Sequence, residues 1–104
     1  MRPSEVEYHV TIVVRSAVSK IDALAILALA LGTHVQGQGT ARPFVGLAKD
    51  AWAEIEIPKF GEPPPLAIDV YSRLSDDHAR LQALALMGVL ETQTAWNIRP
   101  HFTI

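Results

Sequence analysis

Three stretches of the chain alternate apolar and polar residues with the two-residue period of a half-buried strand. They cover residues 7–15, 51–58 and 66–73, and a fourth, weaker stretch covers residues 95–103. In the first stretch Val10, Ile12 and Val14 are predicted to face a core, and their β-branched side chains are typical of strands. Pro100 weakens the interior of the fourth, because proline cannot donate a hydrogen bond to a neighbouring strand.

Two further segments carry helix signals at their ends. Ser19 is placed as the N-cap of the first, with Asp22 three residues later as in a capping box. Gly32 suits the left-handed position that follows a helix. Ser75 is placed as the N-cap of the second, which is predicted to continue to about residue 92. Two aspartates in its first turn favour the positive end of the helix dipole.

The predicted order is strand, helix, strand, strand, helix, strand. With right-handed crossovers this order folds most economically as a split βαβ arrangement. We therefore expect an α+β fold, a ferredoxin-like βαββαβ plait with a four-stranded antiparallel sheet and two helices on one face. The expected sheet order is fourth, first, third, second strand. At 104 residues, the chain is predicted to form a single domain over residues 1–104.

Two connections contain most of the glycine and proline of the chain. Residues 32–46 hold four of the six glycines without a usable period, and they are predicted to form a flexible loop. Pro63 to Pro65 stiffen the connection between the second and third predicted strands. If those strands form an antiparallel hairpin, a symmetric register sets Glu54 opposite Asp69 and Trp52 opposite Tyr71. The proline loop leaves this register open by two residues.

The side of the sheet away from the helices is predicted to collect the candidate functional groups. The carboxylates of Glu54 and Asp69 would face each other across two strands. Their like charges would raise the pKa of one of them, which makes them acid/base candidates. Asp69, with His9 and Arg73 nearby, is the predicted centre of any small-molecule contact. The alternative is a solvated face, because antiparallel sheets with one wet side normally carry charged residues there. The candidate ligand-binding residues are His9, Trp52, Glu54, Asp69, Tyr71, Arg73 and His101.

Both predicted helices carry more apolar surface than one covered side requires. In the second, Leu81 and Leu84 are predicted to face the sheet, whereas Leu86 and Leu90 point away. A helix that is apolar nearly all round is usually buried on more than one side, and a symmetric dimer supplies that burial. We therefore expect a homodimer. Scattered exposed leucines are the alternative.

Composition excludes several classes of function. The formal net charge is −2 and no run of basic residues occurs, so no nucleic-acid partner is expected. The chain lacks cysteine, which removes thiolate ligands and thiol nucleophiles. No metal or cofactor is expected, although a site made by His9, His101 and a carboxylate is geometrically possible. The longest apolar run, residues 23–31, is too short to cross a bilayer, and a cytoplasmic location is expected.

One segment resembles a known signature. HVQGQGTARPF is similar, over Val35 to Gly39, to the phosphate-binding VQGVGFR motif of acylphosphatases, with Arg42 as a displaced arginine. In that family the loop follows the first strand and opens the first helix, so that backbone N–H groups hold the phosphate. Here the segment follows the first helix. The resemblance would also imply a catalytic asparagine, but the only asparagine of the chain, Asn97, lies in the last predicted strand. The position of the segment therefore favours a glycine-rich connection over a phosphate-binding loop.

These observations favour a non-catalytic ligand- or partner-binding module that acts as a homodimer. The alternative is a small acid/base enzyme that uses a carboxylate and a histidine on the sheet. A cleft that encloses Asp69 with His9 would favour the enzyme, whereas a flat, salt-bridged face would favour the binding module.

Overall fold

The computed structural model describes residues 7–15, 19–56 and 66–102. Within these ranges the chain forms an α+β fold with two helices and six strands. In chain order they are β1 (Tyr8–Val14), α1 (Lys20–Leu31), β2 (Val35–Gln36), β3 (Phe44–Ala48), β4 (Ala51–Glu56), β5 (Leu66–Ser72), α2 (Asp76–Gln93) and β6 (Ile98–Pro100).

The strands form one antiparallel sheet in the order β2-β3-β4-β5-β1-β6. The four predicted strands correspond to β1, β4, β5 and β6, and they lie in the predicted order. The predicted register between β4 and β5 is confirmed, since Trp52 pairs with Tyr71 and Glu54 with Asp69. The connection that contains Pro63 to Pro65 lies outside the described residues.

Two strands were not predicted, and they lie within or at the end of the glycine-rich segment. β2 and β3 pair with each other and extend the sheet beyond β4. Gly37 and Gly39 adopt positive φ angles of 69° and 82° in the turn between them, which glycine allows without strain. β2 is only two residues long, so its alternation is too short to be recognised in the sequence. Much of the predicted loop is therefore an edge hairpin.

The core lies between the sheet and both helices. Alternate strand residues such as Ile12 and Ile68 are fully buried in one apolar cluster. The predicted ends of α1 are confirmed: Ser19 accepts a hydrogen bond from the backbone N–H of Asp22, and Gly32 has a φ of 68°. Neither helix in the described part of the chain combines the length and apolar character needed to span a membrane.

The predicted faces of α2 were wrong. Leu86 and Leu90 are buried against the sheet, whereas Leu81 is 64% exposed and Leu84 is 36% exposed. Both sets have helical spacing, so spacing alone does not choose between them. The residues that precede each pair on its own side of the helix do distinguish them. The exposed side continues to the charged Asp77, whereas the buried side continues to small alanines. In α1, Ile21 and Leu29 are both exposed.

Candidate functional site

The face of the sheet opposite the helices, called here the helix-free face, is only partly solvated. Trp52, Glu54 and Asp69 point to this face, yet they are only 8%, 7% and 8% exposed. Their neighbours on adjacent strands and the turn after β2 cover them. A buried carboxylate requires hydrogen-bond donors, and the structure supplies them at both positions.

Glu54 receives three donors. Arg42 donates from Nε at 3.0 Å and from a terminal nitrogen at 2.7 Å, and the Trp52 indole N–H donates at 2.8 Å. The side chain of Glu54 is 9% exposed and that of Arg42 is 55% exposed. The hydrogen bond to Glu54 and its charge raise the pKa of Arg42 above its ordinary value. The paired guanidinium thus fixes the turn between β2 and β3 over β4.

A ladder of stacked groups crosses the helix-free face from β1 to β4. The His9 and Tyr71 rings lie 5.2 Å apart, and the Tyr71 and Trp52 rings lie 5.3 Å apart and nearly parallel. The guanidinium carbon of Arg73 lies 4.4 Å from the Trp52 ring centroid, and that of Arg42 lies 5.5 Å from that of Tyr71. The antiparallel registers bring these rings side by side. Burial, followed by the charges of Asp69 and Glu54, raises the pKa of Tyr71.

The two side chains that were expected near Asp69, His9 and Arg73, make their ring contacts elsewhere. The Asp69 carboxylate accepts a hydrogen bond from the Thr11 hydroxyl at 2.7 Å. His9 is stacked on Tyr71 instead, and Arg73 lies over Trp52. Asp69 and Glu54 are cross-strand partners, but each carboxylate has its own donors.

His101 lies beyond the end of β6 and continues the pairing with β1. Its backbone N–H donates to the Thr11 carbonyl at 2.8 Å, so it is opposite Thr11 and offset by two residues from His9. Its side chain is exposed. Within the ranges that the structure describes, no three potential metal-ligating side chains come together.

A cleft of about 410 Å³ opens on the helix-free face beside β3 and β4, and we call it the Trp52 cleft. Phe44 and Gly46 of β3 pair with Glu54 and Trp52 of β4, and the absent side chain of Gly46 leaves space in front of the indole. The cleft is lined by Glu7, Gln36, Arg42, Phe44, Gly46, Ala48, Lys49, Ala51, Trp52, Glu54 and Arg73.

Three predicted site residues, Trp52, Glu54 and Arg73, line this cleft, while His9, Asp69, Tyr71 and His101 do not. Sequence reasoning missed the contribution of β3, because it left the ends of the glycine-rich segment unassigned. Residues 44–48 are too few to show a clear period, so their sequence does not distinguish a short strand from a helical turn. The sequence places Arg42 only in the segment that resembles a phosphate motif.

No protein-family model, curated protein or solved structure matches the chain. The segment that resembles the acylphosphatase motif forms β2 and the turn after it. It therefore does not open a helix, and the helix N-terminus that would assist phosphate binding is missing at this position.

Arg42→Leu should lower the free energy of unfolding by about 2 kcal/mol, because it leaves a buried carboxylate with one donor in place of three. Urea unfolding measures the change. The control is Arg80→Leu, which removes the exposed ion pair with Asp77 and should cost less than about 0.5 kcal/mol. Equal losses in the two variants would show that the Glu54 network does not stabilise the fold.

Proposed function

We propose that the protein is a non-catalytic binding module that holds a small molecule in the Trp52 cleft and acts as a homodimer. The observation that carries the proposal is the hydrogen-bonded set formed by Trp52, Glu54 and Arg42 at the wall of this cleft. A wall fixed before the ligand arrives reduces the ordering cost of binding. The volume of about 410 Å³ also lies in the range of small-molecule sites.

The hydrogen bonding of the buried polar groups supports a binding role over a catalytic one. In the described residues, no buried side-chain nitrogen or oxygen lacks a hydrogen-bond partner. The buried carboxylate in the cleft, Glu54, is already held by Arg42 and Trp52, and the exposed one, Glu7, also contacts Arg42. An acid/base enzyme built on Asp69 and His9 would need both groups at the cleft, and neither lines it. We therefore assign no proton-transfer role to this site.

The sheet order supports a ferredoxin-like plait to which a hairpin has been added. The order β6-β1-β5-β4 is that of the four-stranded plait, and β2 and β3 extend it at one edge. The added hairpin supplies Gln36, Phe44 and Gly46 to the cleft, and its turn supplies Arg42. The proposed site is thus formed jointly by the added hairpin and the strands of the plait.

Gly46→Val should abolish binding in the cleft without unfolding the protein. A Cβ at this position meets only the Gln36 side-chain nitrogen, at 3.4 Å, and the added methyl groups would occupy the space beside Trp52. Saturation-transfer NMR with phenol, benzamide, benzoate and benzylamine tests the proposal. At least one probe should bind the wild type and lose its signal with the variant. Binding that is unchanged in Gly46→Val would remove the cleft as the site.

The outer surfaces of the helices support the dimer. Ile21 and Leu29 on α1 are 79% and 81% exposed, and Leu81 on α2 is 64% exposed. Ile21 and Leu29 are eight residues apart and lie on one side of α1, next to Lys20 and Asp22. An apolar stripe flanked by both signs of charge can match a two-fold copy of itself. We therefore propose that a second copy of this chain packs against these exposed helix residues.

Leu29→Glu should convert the dimer to a monomer, because it places a charge within the proposed apolar interface. Sedimentation velocity at tens of micromolar measures the mass, and circular dichroism checks that the helices remain. Thr92→Glu, an exposed position near the end of α2, is the control and should leave the dimer intact. A monomeric wild type across the concentration range would eliminate the dimer.

A further inference from the structure

The charges that line the Trp52 cleft are unevenly paired. Two acids, Glu7 and Glu54, both contact Arg42, at 3.5 and 2.7 Å. The cleft also contains Lys49 and Arg73, and within the described part of the chain neither forms an ion pair with an acid. The cleft therefore carries two cations whose charge no neighbouring carboxylate in that part of the chain neutralises.

Arg73 is held in place by groups that leave its charge available. Its guanidinium lies 4.4 Å from the Trp52 ring centroid, and its backbone N–H donates to the Asp50 carbonyl at 2.9 Å. A guanidinium stacked on an aromatic face keeps its N–H groups at its edge, where they can bind an oxyanion in two places. Lys49 lies in the turn between β3 and β4, next to Asp50, whose carbonyl accepts the Arg73 hydrogen bond. Lys49 and Arg73 therefore line the same end of the cleft.

The rest of the lining is apolar or uncharged. Phe44 and Trp52 supply aromatic surface, and Gln36 provides an amide next to Gly46. A ligand that fits such a lining has a flat apolar body and one anionic end. Cationic ligands are disfavoured because the acids of the cleft already share Arg42.

We propose that the Trp52 cleft binds a small aromatic oxyanion, with its carboxylate or phosphate at Arg73 and Lys49 and its ring against Phe44. This inference rests on the proposed function and names the ligand class of the same site. The shared chemistry is an oxyanion on an apolar body, and carboxylate and phosphate are separated by experiment.

The probes are benzoate, phenyl phosphate, benzyl alcohol and benzylamine, which share one ring and differ in charge. Binding is measured by ¹⁵N–¹H chemical-shift titration of the full chain. Benzoate or phenyl phosphate should shift the amides of residues 44–52 and bind at least about tenfold more tightly than benzyl alcohol. The tighter of the two anions identifies the oxyanion that the site prefers.

Arg73→Gln should weaken anion binding about tenfold, and Lys49→Gln should weaken it as an independent test. Arg99→Gln is the matched control, because Arg99 is an exposed arginine on β6, outside the cleft, and its loss changes the net charge equally. It should change binding less than about twofold once salt screens distant charges. Equal weakening in Arg73→Gln and Arg99→Gln would overturn the inference.

The remaining outcomes separate this inference from the proposed function. If benzyl alcohol or benzylamine binds the cleft as tightly as benzoate, the oxyanion site is wrong and the binding module stands. If no probe shifts the cleft amides, both proposals fail. The circular dichroism spectrum of Arg73→Gln should match that of the wild type, which excludes misfolding as the cause, while loss of the contact with Trp52 lowers the thermal midpoint only slightly.

Discussion

A carboxylate buried on the helix-free face needs donors, and most of the candidate site depends on how Glu54 obtains them. The Trp52 indole on the same strand supplies one. The others come from Arg42, twelve residues earlier, which reaches Glu54 only because the turn after β2 folds back over the sheet. The edge hairpin, the wall of the cleft and the burial of Trp52 are therefore linked through one ion pair. Loss of the Arg42 contact would leave the buried Glu54 carboxylate with one donor in place of three, and this cost favours one position of the turn.

The second organising feature is the register of β1, β5 and β4. Because His9, Tyr71 and Trp52 are cross-strand neighbours, their rings form a continuous stack rather than three separate contacts. Arg73 extends the stack over Trp52 at the mouth of the cleft. The same sheet that builds the core on one side thus fixes a row of aromatic and cationic groups on the other. Such a row is more rigid than side chains carried on a loop.

Local patterns were sufficient for much of this architecture. The alternation around Ile12 and Ile68 identified the inward residues, and Ser19 and Gly32 marked the ends of α1. The symmetric register of a hairpin pairs Trp52 with Tyr71, as the structure does, whereas a shift by two residues would keep the same side chains on each face. These features depend on residues close together in sequence or on a strict two-residue period.

The features that were missed depend on contacts between distant residues. The two apolar stripes of α2 are equivalent in spacing, and only packing against the sheet selects the one that contains Leu86. β2 is too short to show a period, so the sequence predicts a loop where the structure forms an edge hairpin. The pairing of Arg42 with Glu54 crosses that hairpin, and nothing in the local sequence of either residue indicates it.

Arg42 and Glu54 act as one unit at the wall of the Trp52 cleft. A double-mutant cycle with Arg42→Leu, Glu54→Gln and the double variant measures this directly, with free energies from urea unfolding. Glutamine retains an acceptor for the Trp52 indole, so the cycle reports mainly on the charged contact between Arg42 and Glu54. We expect a coupling free energy above about 1 kcal/mol between the two side chains. Additivity within about 0.3 kcal/mol would contradict it.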